Sequence, residues 1–164
     1  MKESATTSEL LPFLESASKY LRVFPKERST LTWALQIKFL DKYKKFIEDY
    51  NKEVNDHREE LKSKHCLKEK GVFVEKEVKL ENQVVFQKQF SEEGEKKFRS
   101  EMDQYLEKKG NELVPDFKPY RAELRPDLHI SWYKEFVGFV FEPMNEEQEF
   151  AFYMAQKEQE KDKE

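Results

Sequence analysis

The 164-residue chain holds four glycines and one cysteine. No apolar run in it approaches the ~18 residues that a transmembrane helix needs. So few glycines leave little from which to build a phosphate-cradling loop. The single cysteine, Cys66, excludes an intrachain disulfide, which fits a reducing compartment and equally a disulfide-free protein outside the cell. The opening stretch MKESATTSELLPFLESASKY has no long apolar segment of the secretory-signal kind. No GxSxG, HExxH or P-loop pattern occurs. The net charge of −4 means that the chain as a whole does not attract phosphate, although a local basic patch remains open.

What is present pulls in two directions. Charged residues make up 39% of the chain, against roughly 25% in an average protein. Aromatics reach 14%, with fourteen phenylalanines. Charge of that density alone suggests disorder, but buried rings remove large apolar areas from water and favour a packed core. A folded, helix-rich protein satisfies both, with aromatics confined to narrow stripes and a few clusters. The length suits one domain.

Residues 1–8 are small and polar and read as a loose arm. Ser8 is a plausible cap for a first helix with Pro12 in or near its first turn, and Pro25 ends it. Ser29 and Thr30 offer the cap of the main helix, expected over 31–64. Trp33, Leu40, Ile47, Val54 and Leu61 lie seven apart, and Tyr43, Tyr50 and His57 follow the same period offset by three. These are a and d positions of a heptad, with Phe39 and Phe46 at g and Ile37 at e. A helix of that span is about 50 Å long, so its far end is expected to project or to pair with another chain. Gly71 opens a stretch in which Val72, Val74, Val78, Leu80, Val84, Phe86 and Phe90 share even parity, the period of a strand. LENQV at 80–84 suits the turn of a hairpin spanning 72–90. A helix over 92–109 follows, capped by Ser91 and closed by Gly110. PDFKPYRAEL reads as an extended, edge-like segment because of its prolines. The aromatic run over 128–141 suits either a short helix, which is favoured, or a buried strand. Asn145 and Gln148 make a capping-box start for a last helix over 146–158, with Phe150, Tyr153 and Met154 as its apolar stripe, and 159–164 reads as a charged tail.

Few groups invite chemistry. His57, His65 and Cys66 lie near one another in sequence, but the two histidines are eight apart with Leu61 between them, and the paired spacing of a zinc site is missing. His65 points about 100° away from Cys66 on a helix, which does not favour a nucleophile and its base. No Asp/Glu pair stands out for acid–base work. The chain is therefore read as non-enzymatic, with no metal and no cofactor. Two regions suggest contact with other molecules. Lys118, Arg121 and Arg125 sit beside Phe117 and Tyr120, which suits a phosphate or acidic partner, or an edge strand guarded by charge. The run that holds Trp132, Tyr133, Phe136 and Phe139 is either core or an anchor for a protein partner.

The stretch KFLDKYKKFIEDY interleaves lysines with rings, as base-stacking surfaces do. On the heptad, Phe39, Leu40, Tyr43, Phe46, Ile47 and Tyr50 fall on g, a and d, whereas Lys38, Lys42 and Lys45 fall on f and c. Lys44 borders the stripe. The lysines and rings thus sort to opposite sides, which favours an amphipathic helix over a nucleic-acid platform.

The order of a long charged helix, Gly71 with a hairpin, FSEEGEKKFRSEMDQYLEK, a proline-broken stretch and ISWYKEFVGFVFEP resembles small proteins of unknown function from tailed bacteriophages. The resemblance spans roughly Leu31 to Glu142 and rests on layout, with no diagnostic motif. It implies a virion or assembly component rather than an enzyme. The expectation is an α+β fold, mainly α, with a long amphipathic helix, a small β-hairpin and additional packed helices in a single domain over 9–158. Its expected role is a non-catalytic structural or adaptor protein, cytoplasmic or in the virion, that binds protein partners or itself. The expected interface residues are Trp33, Leu40, Tyr43, Ile47, Tyr50, Val54, Leu61, Trp132, Tyr133, Phe136 and Phe139. The alternative is a nucleic-acid accessory protein that uses Lys42, Lys44, Lys45, Lys118, Arg121 and Arg125. No membrane association is expected.

Overall fold

The computed structural model describes residues 1–162. It is α+β and mainly helical, with α1 Thr7–Val23, α2 Thr30–Trp33, a π-helical segment Ala34–Asp41, α3 Lys44–His65, α4 Glu92–Gly110, α5 Ile130–Phe136 and α6 Glu146–Asp162. Two antiparallel hairpins lie between α3 and α4: β1 Lys68–Glu69 with β2 Val72–Phe73, and β3 Glu75–Leu80 with β4 Gln83–Lys88. Where one domain was expected, the chain divides into two compact units, one made of Met1–Lys45 with Asn111 onward and the other of Phe46–Gly110.

The first unit is held by aromatic packing. Phe13 of α1 stacks on Phe139 at 4.3 Å between ring centroids and meets Phe39 and Phe136 edge-on at 4.8 and 5.7 Å. Each such ring buries 150–250 Å², so this cluster carries much of the unit's hydrophobic stabilisation. The aromatic run over 128–141 is a short helix followed by a turn. Its Phe139 and Val140 carbonyls accept hydrogen bonds from Tyr120 and Ala122, so the proline-containing segment lies extended beside it.

The N-terminal arm is not loose. The Lys2 N–H donates to the Gly138 carbonyl, the Val114 N–H to Ala5 and the Thr7 N–H to Glu112, each at 2.9 Å, and Ala5 and Thr7 are buried. The pairing residues lie more than a hundred positions away, beyond what local composition reports. The cap of α1 is Thr6, not Ser8, because Glu9 three residues on accepts from both the Thr6 N–H and its hydroxyl.

The helical path from Thr30 to His65 has two phases. In the first unit the large buried side chains of this path are Leu31, Leu35, Phe39 and Tyr43, spaced by four, with the smaller Thr32 and Ala34 buried beside them. The wider π turn explains that spacing, since i→i+5 bonding carries more residues per turn than an α-helix. Trp33 is accordingly exposed and Leu40 only half-buried, although the heptad placed both on the apolar seam. In the second unit the helix is α and the heptad applies: Val54 and Leu61 are buried with Met102 of α4, and Tyr50, Phe98, Tyr105 and Leu106 pack around them. The end expected to project is thus covered along this seam by α4.

The hairpin corrects a second pattern. Only Glu81 and Asn82 separate Leu80 from Gln83, and Val78 pairs with Val85. A two-residue turn makes each pair sum to an odd number, so even positions of β3 and even positions of β4 face opposite sides. Val78 and Leu80 therefore do not share a face with Val84 and Phe86. The preceding hairpin turns at Lys70 and Gly71, whose φ angles of 52° and 81° are both left-handed, as the twist of a tight hairpin favours.

The last helix starts where expected, with reciprocal bonds between Asn145 and Gln148, and continues to Asp162. Residues 159–162 of the expected tail are therefore helical, and 163–164 lie outside the described residues. It is anchored by Phe152 against Tyr133 and by Gln156, which accepts from the Ile130 N–H and donates to the Leu128 carbonyl. Phe150, Tyr153 and Met154, its expected apolar stripe, are exposed.

Candidate interaction surface

Six of the eleven residues expected at an interface are covered by the chain itself. Tyr43, Val54, Leu61, Tyr133, Phe136 and Phe139 are buried, and Leu40, Ile47, Tyr50 and Trp132 are half-buried. The Tyr133 hydroxyl accepts from the Met144 N–H at 2.7 Å and the Tyr43 hydroxyl from the Lys118 N–H at 3.1 Å, so both rings are fixed at their polar ends as well. Trp132 meets Tyr20 edge-on at 5.0 Å and stacks on Phe136 at 5.8 Å.

Trp33 alone of the eleven is exposed, and it borders a groove. The groove has a volume of about 810 Å³ and runs between the end of α1 and the start of the main helical path, where Phe24, Trp33 and Ile37 provide its apolar wall. All three are more than a third exposed. Phe24 caps the end of α1, and Trp33 and Ile37 face outward because the large buried side chains of the main path, Leu31, Leu35, Phe39 and Tyr43, lie on its other side.

The groove is built on a fixed frame. Ser29 and Thr32 cap each other reciprocally, with the Thr32 N–H donating to the Ser29 hydroxyl at 3.2 Å and the Ser29 N–H to the Thr32 hydroxyl at 3.1 Å. Glu27, in the loop that forms one wall, accepts from the buried Tyr20 hydroxyl at 2.9 Å, from the Ser29 hydroxyl at 3.0 Å and from Arg125. Burial first, and then the hydrogen bond to Glu27 and its charge, push the Tyr20 hydroxyl far above the usual tyrosine range and keep it a donor. The Lys38 ammonium lies 5.4 Å from the Trp33 ring centre and 5.5 Å from that of Tyr120, and the two rings meet edge-on at 5.4 Å. This cation–π contact fixes the exposed indole on its lysine side.

The basic residues weighed for nucleic acid are divided. Arg121 pairs with Glu142 at 2.7 Å, and Arg125 pairs with Glu27 and, at 3.6 Å, with Asp127. A phosphate would have to displace those carboxylates. Lys42 lies over the Tyr43 ring, whose burial keeps a base from stacking on it. Lys44, Lys45 and Lys118 are exposed.

In the second unit the histidines take separate partners. His57 stacks on Tyr105 at 3.8 Å, and His65 Nε2 lies 2.9 Å from Glu101, which Lys64 also approaches at 3.3 Å. The hydrogen bond from His65, ahead of that from Lys64, holds the Glu101 carboxyl below its usual range. Cys66 is buried, with its Sγ 3.7 Å from the Ser63 carbonyl. Among the described residues, no three His, Cys, Asp or Glu side chains are grouped to hold a metal ion, and no helix is long and apolar enough to cross a membrane.

Sequence reasoning missed Glu27 and Gly94. Glu27 joins α1 to a segment 98 residues away, and nothing local marks it. Gly94 did carry a signal, since an isolated glycine inside a helical pattern often marks a close approach; its Cβ position lies 2.5 Å from the His65 carbonyl oxygen. Comparison of the chain with protein-family models, curated proteins and solved structures finds no match.

Proposed function

We propose that this chain is a non-catalytic structural or adaptor protein that acts by packing against other protein chains, with a tailed-phage virion or assembly particle as its setting. The observation that carries the reading is the groove wall of Phe24, Trp33 and Ile37, apolar and exposed on a frame that Glu27, Ser29 and Lys38 hold in place. Apolar surface gathered in one place, unlike single exposed side chains, is characteristic of contact sites. A tryptophan at the mouth of a preformed groove is the residue type that most often dominates binding energy, and its truncation at such a site costs about 2 kcal/mol or more, roughly thirtyfold in Kd. The phage setting rests on the resemblance of layout described above.

The test is isolation of the tagged chain from the cells or particles that naturally contain it, with its mass read by light scattering over a range of concentrations. The expected result is a complex that contains another protein chain and that dissociates in the double variant Trp33→Ala/Ile37→Ser. A chain that stays strictly monomeric at every concentration and brings no partner with it contradicts the proposal.

A further inference from the structure

The β3–β4 hairpin has two outer edges of different chemistry. Strand β3 reads Glu-Lys-Glu-Val-Lys-Leu, and its charges guard its edge against pairing. Strand β4 begins Gln83-Val84-Val85-Phe86-Gln87, five residues with no charge and no proline. Val84 and Phe86 are 53% and 63% exposed. An uncharged segment of high β-propensity at an open edge is a template for another strand.

The hydrogen-bond phase shows which backbone groups are open. Val74 and Gln89 lie in register with the hairpin, and the Gln89 N–H donates to the Val74 carbonyl at 2.8 Å. Bonded pairs alternate along an antiparallel ladder, so Val85 and Gln87 bond inward to β3 while Val84 and Phe86 turn their N–H and C=O groups outward. Among the described residues no other backbone group bonds to that outer edge. Val85, Phe86 and Gln87 also line a groove of about 640 Å³ together with Glu59 and Lys62 of α3.

We infer that the outer edge of β4 pairs antiparallel with β4 of a second copy of this chain, centred on Val85. This rests on the packing reading above and names the partner of this edge. The segment is close to a palindrome about Val85. In that register Val84 lies opposite Phe86 of the second copy, Val85 opposite Val85 and Gln83 opposite Gln87. The two Val84–Phe86 pairs are the outward-facing ones, so they exchange about four backbone hydrogen bonds. They also set β-branched against aromatic side chains, a favourable cross-strand pair. Centring on Val84 would set Phe86 against Asn82, and centring on Phe86 would set Val84 against Lys88. The palindrome thus selects both the partner and the register.

Sedimentation velocity of the full chain from micromolar to millimolar concentration tests this with two variants that lose the same apolar side chains. In Val84→Lys/Phe86→Lys, lysines at 84 and 86 face lysines of the second copy. In Val84→Lys/Phe86→Glu, each new lysine faces a new glutamate. The expected result is a reversible wild-type dimer, at least tenfold weaker in the first variant and recovered in the second. For a check that does not depend on charged variants, Val85→Cys in a Cys66→Ser background should cross-link to itself on mild oxidation, whereas Val78→Cys in the same background should not. A dimer unaffected by the lysines, a second variant as weak as the first, or cross-linking at 78 rather than 85 overturns edge pairing and leaves the packing reading untouched. A wild-type chain that stays monomeric also overturns it, and the isolation experiment above then decides the packing reading separately.

Discussion

Replacing Gly94 by alanine should destabilise the second unit, although the same change normally stabilises a helix. In a helix interior alanine is favoured over glycine by about 1 kcal/mol, and Gly94 lies only two residues inside α4, where the gain is no larger. Against it stands geometry: a Cβ at this position would lie 2.5 Å from the His65 carbonyl oxygen and 3.1 Å from the Ser91 hydroxyl. The hydroxyl can rotate away, but the carbonyl belongs to the last turn of α3. Contact at an ordinary distance requires α4 to retreat by about half an ångström or more, and forced shifts of that kind cost about 1–3 kcal/mol. The retreat would also stretch the His65–Glu101 contact at 2.9 Å and the Phe90–Phe98 contact at 5.4 Å. The net expectation is a loss of about 1–2 kcal/mol. Both tryptophans lie in the first unit, so indole fluorescence does not report on this change. The assay is urea unfolding followed by far-UV circular dichroism, with hydrogen exchange of the α4 amides to locate the effect. A variant as stable as the parent, or more so, would refute the close approach of α4 to the end of α3.

Two further outcomes follow from the polar contacts. Tyr20→Phe and Glu27→Ala should each weaken the first unit by about 1.5–3 kcal/mol, the usual worth of a hydrogen bond to a charged group. Their double-mutant cycle, read by tryptophan fluorescence, should show a coupling of about 1–2 kcal/mol, and additivity would place the hydroxyl elsewhere. Glu101 titrates below its usual range in the folded chain, so its contribution to stability is complete above the ordinary glutamate range of about pH 4.3 and is lost as the pH falls through its lower folded value. Glu101→Gln should therefore reduce stability near neutrality and match the parent in strong acid; an equal gap at every pH would mean that its charge has no part in the contact.

How much of this was legible in the sequence depended on how local each determinant is. The heptad through Tyr50, Val54 and Leu61 was, because α3 is an α-helix and its seam meets α4 in the same unit. The same period failed between Leu31 and Tyr43, where a π-helical segment changes the residues per turn and sends Trp33 outward. The hairpin and its turn were readable from LENQV, but equal parity did not mean a shared face once a two-residue turn intervened. Aromatic density at Trp132–Phe139 suited a core and a surface equally. Phe13 and Tyr20 of α1 decide the matter from more than a hundred residues away. Arg125 likewise reads as a free cation until Glu27 is placed beside it. The groove was not legible at all, since it depends on the π-helical phase and on the Glu27 frame together.

The central claim is that the groove beside Trp33 is covered in the protein's natural setting. Hydroxyl-radical footprinting of Trp33 in the cells that naturally contain the chain and in the purified chain tests it most directly. In the free chain the indole is 46% exposed and should oxidise readily. Trp33 should be strongly protected in its natural setting, with exposed Leu113, outside the groove, oxidised alike in both. Equal oxidation of Trp33 in the two states would contradict the account.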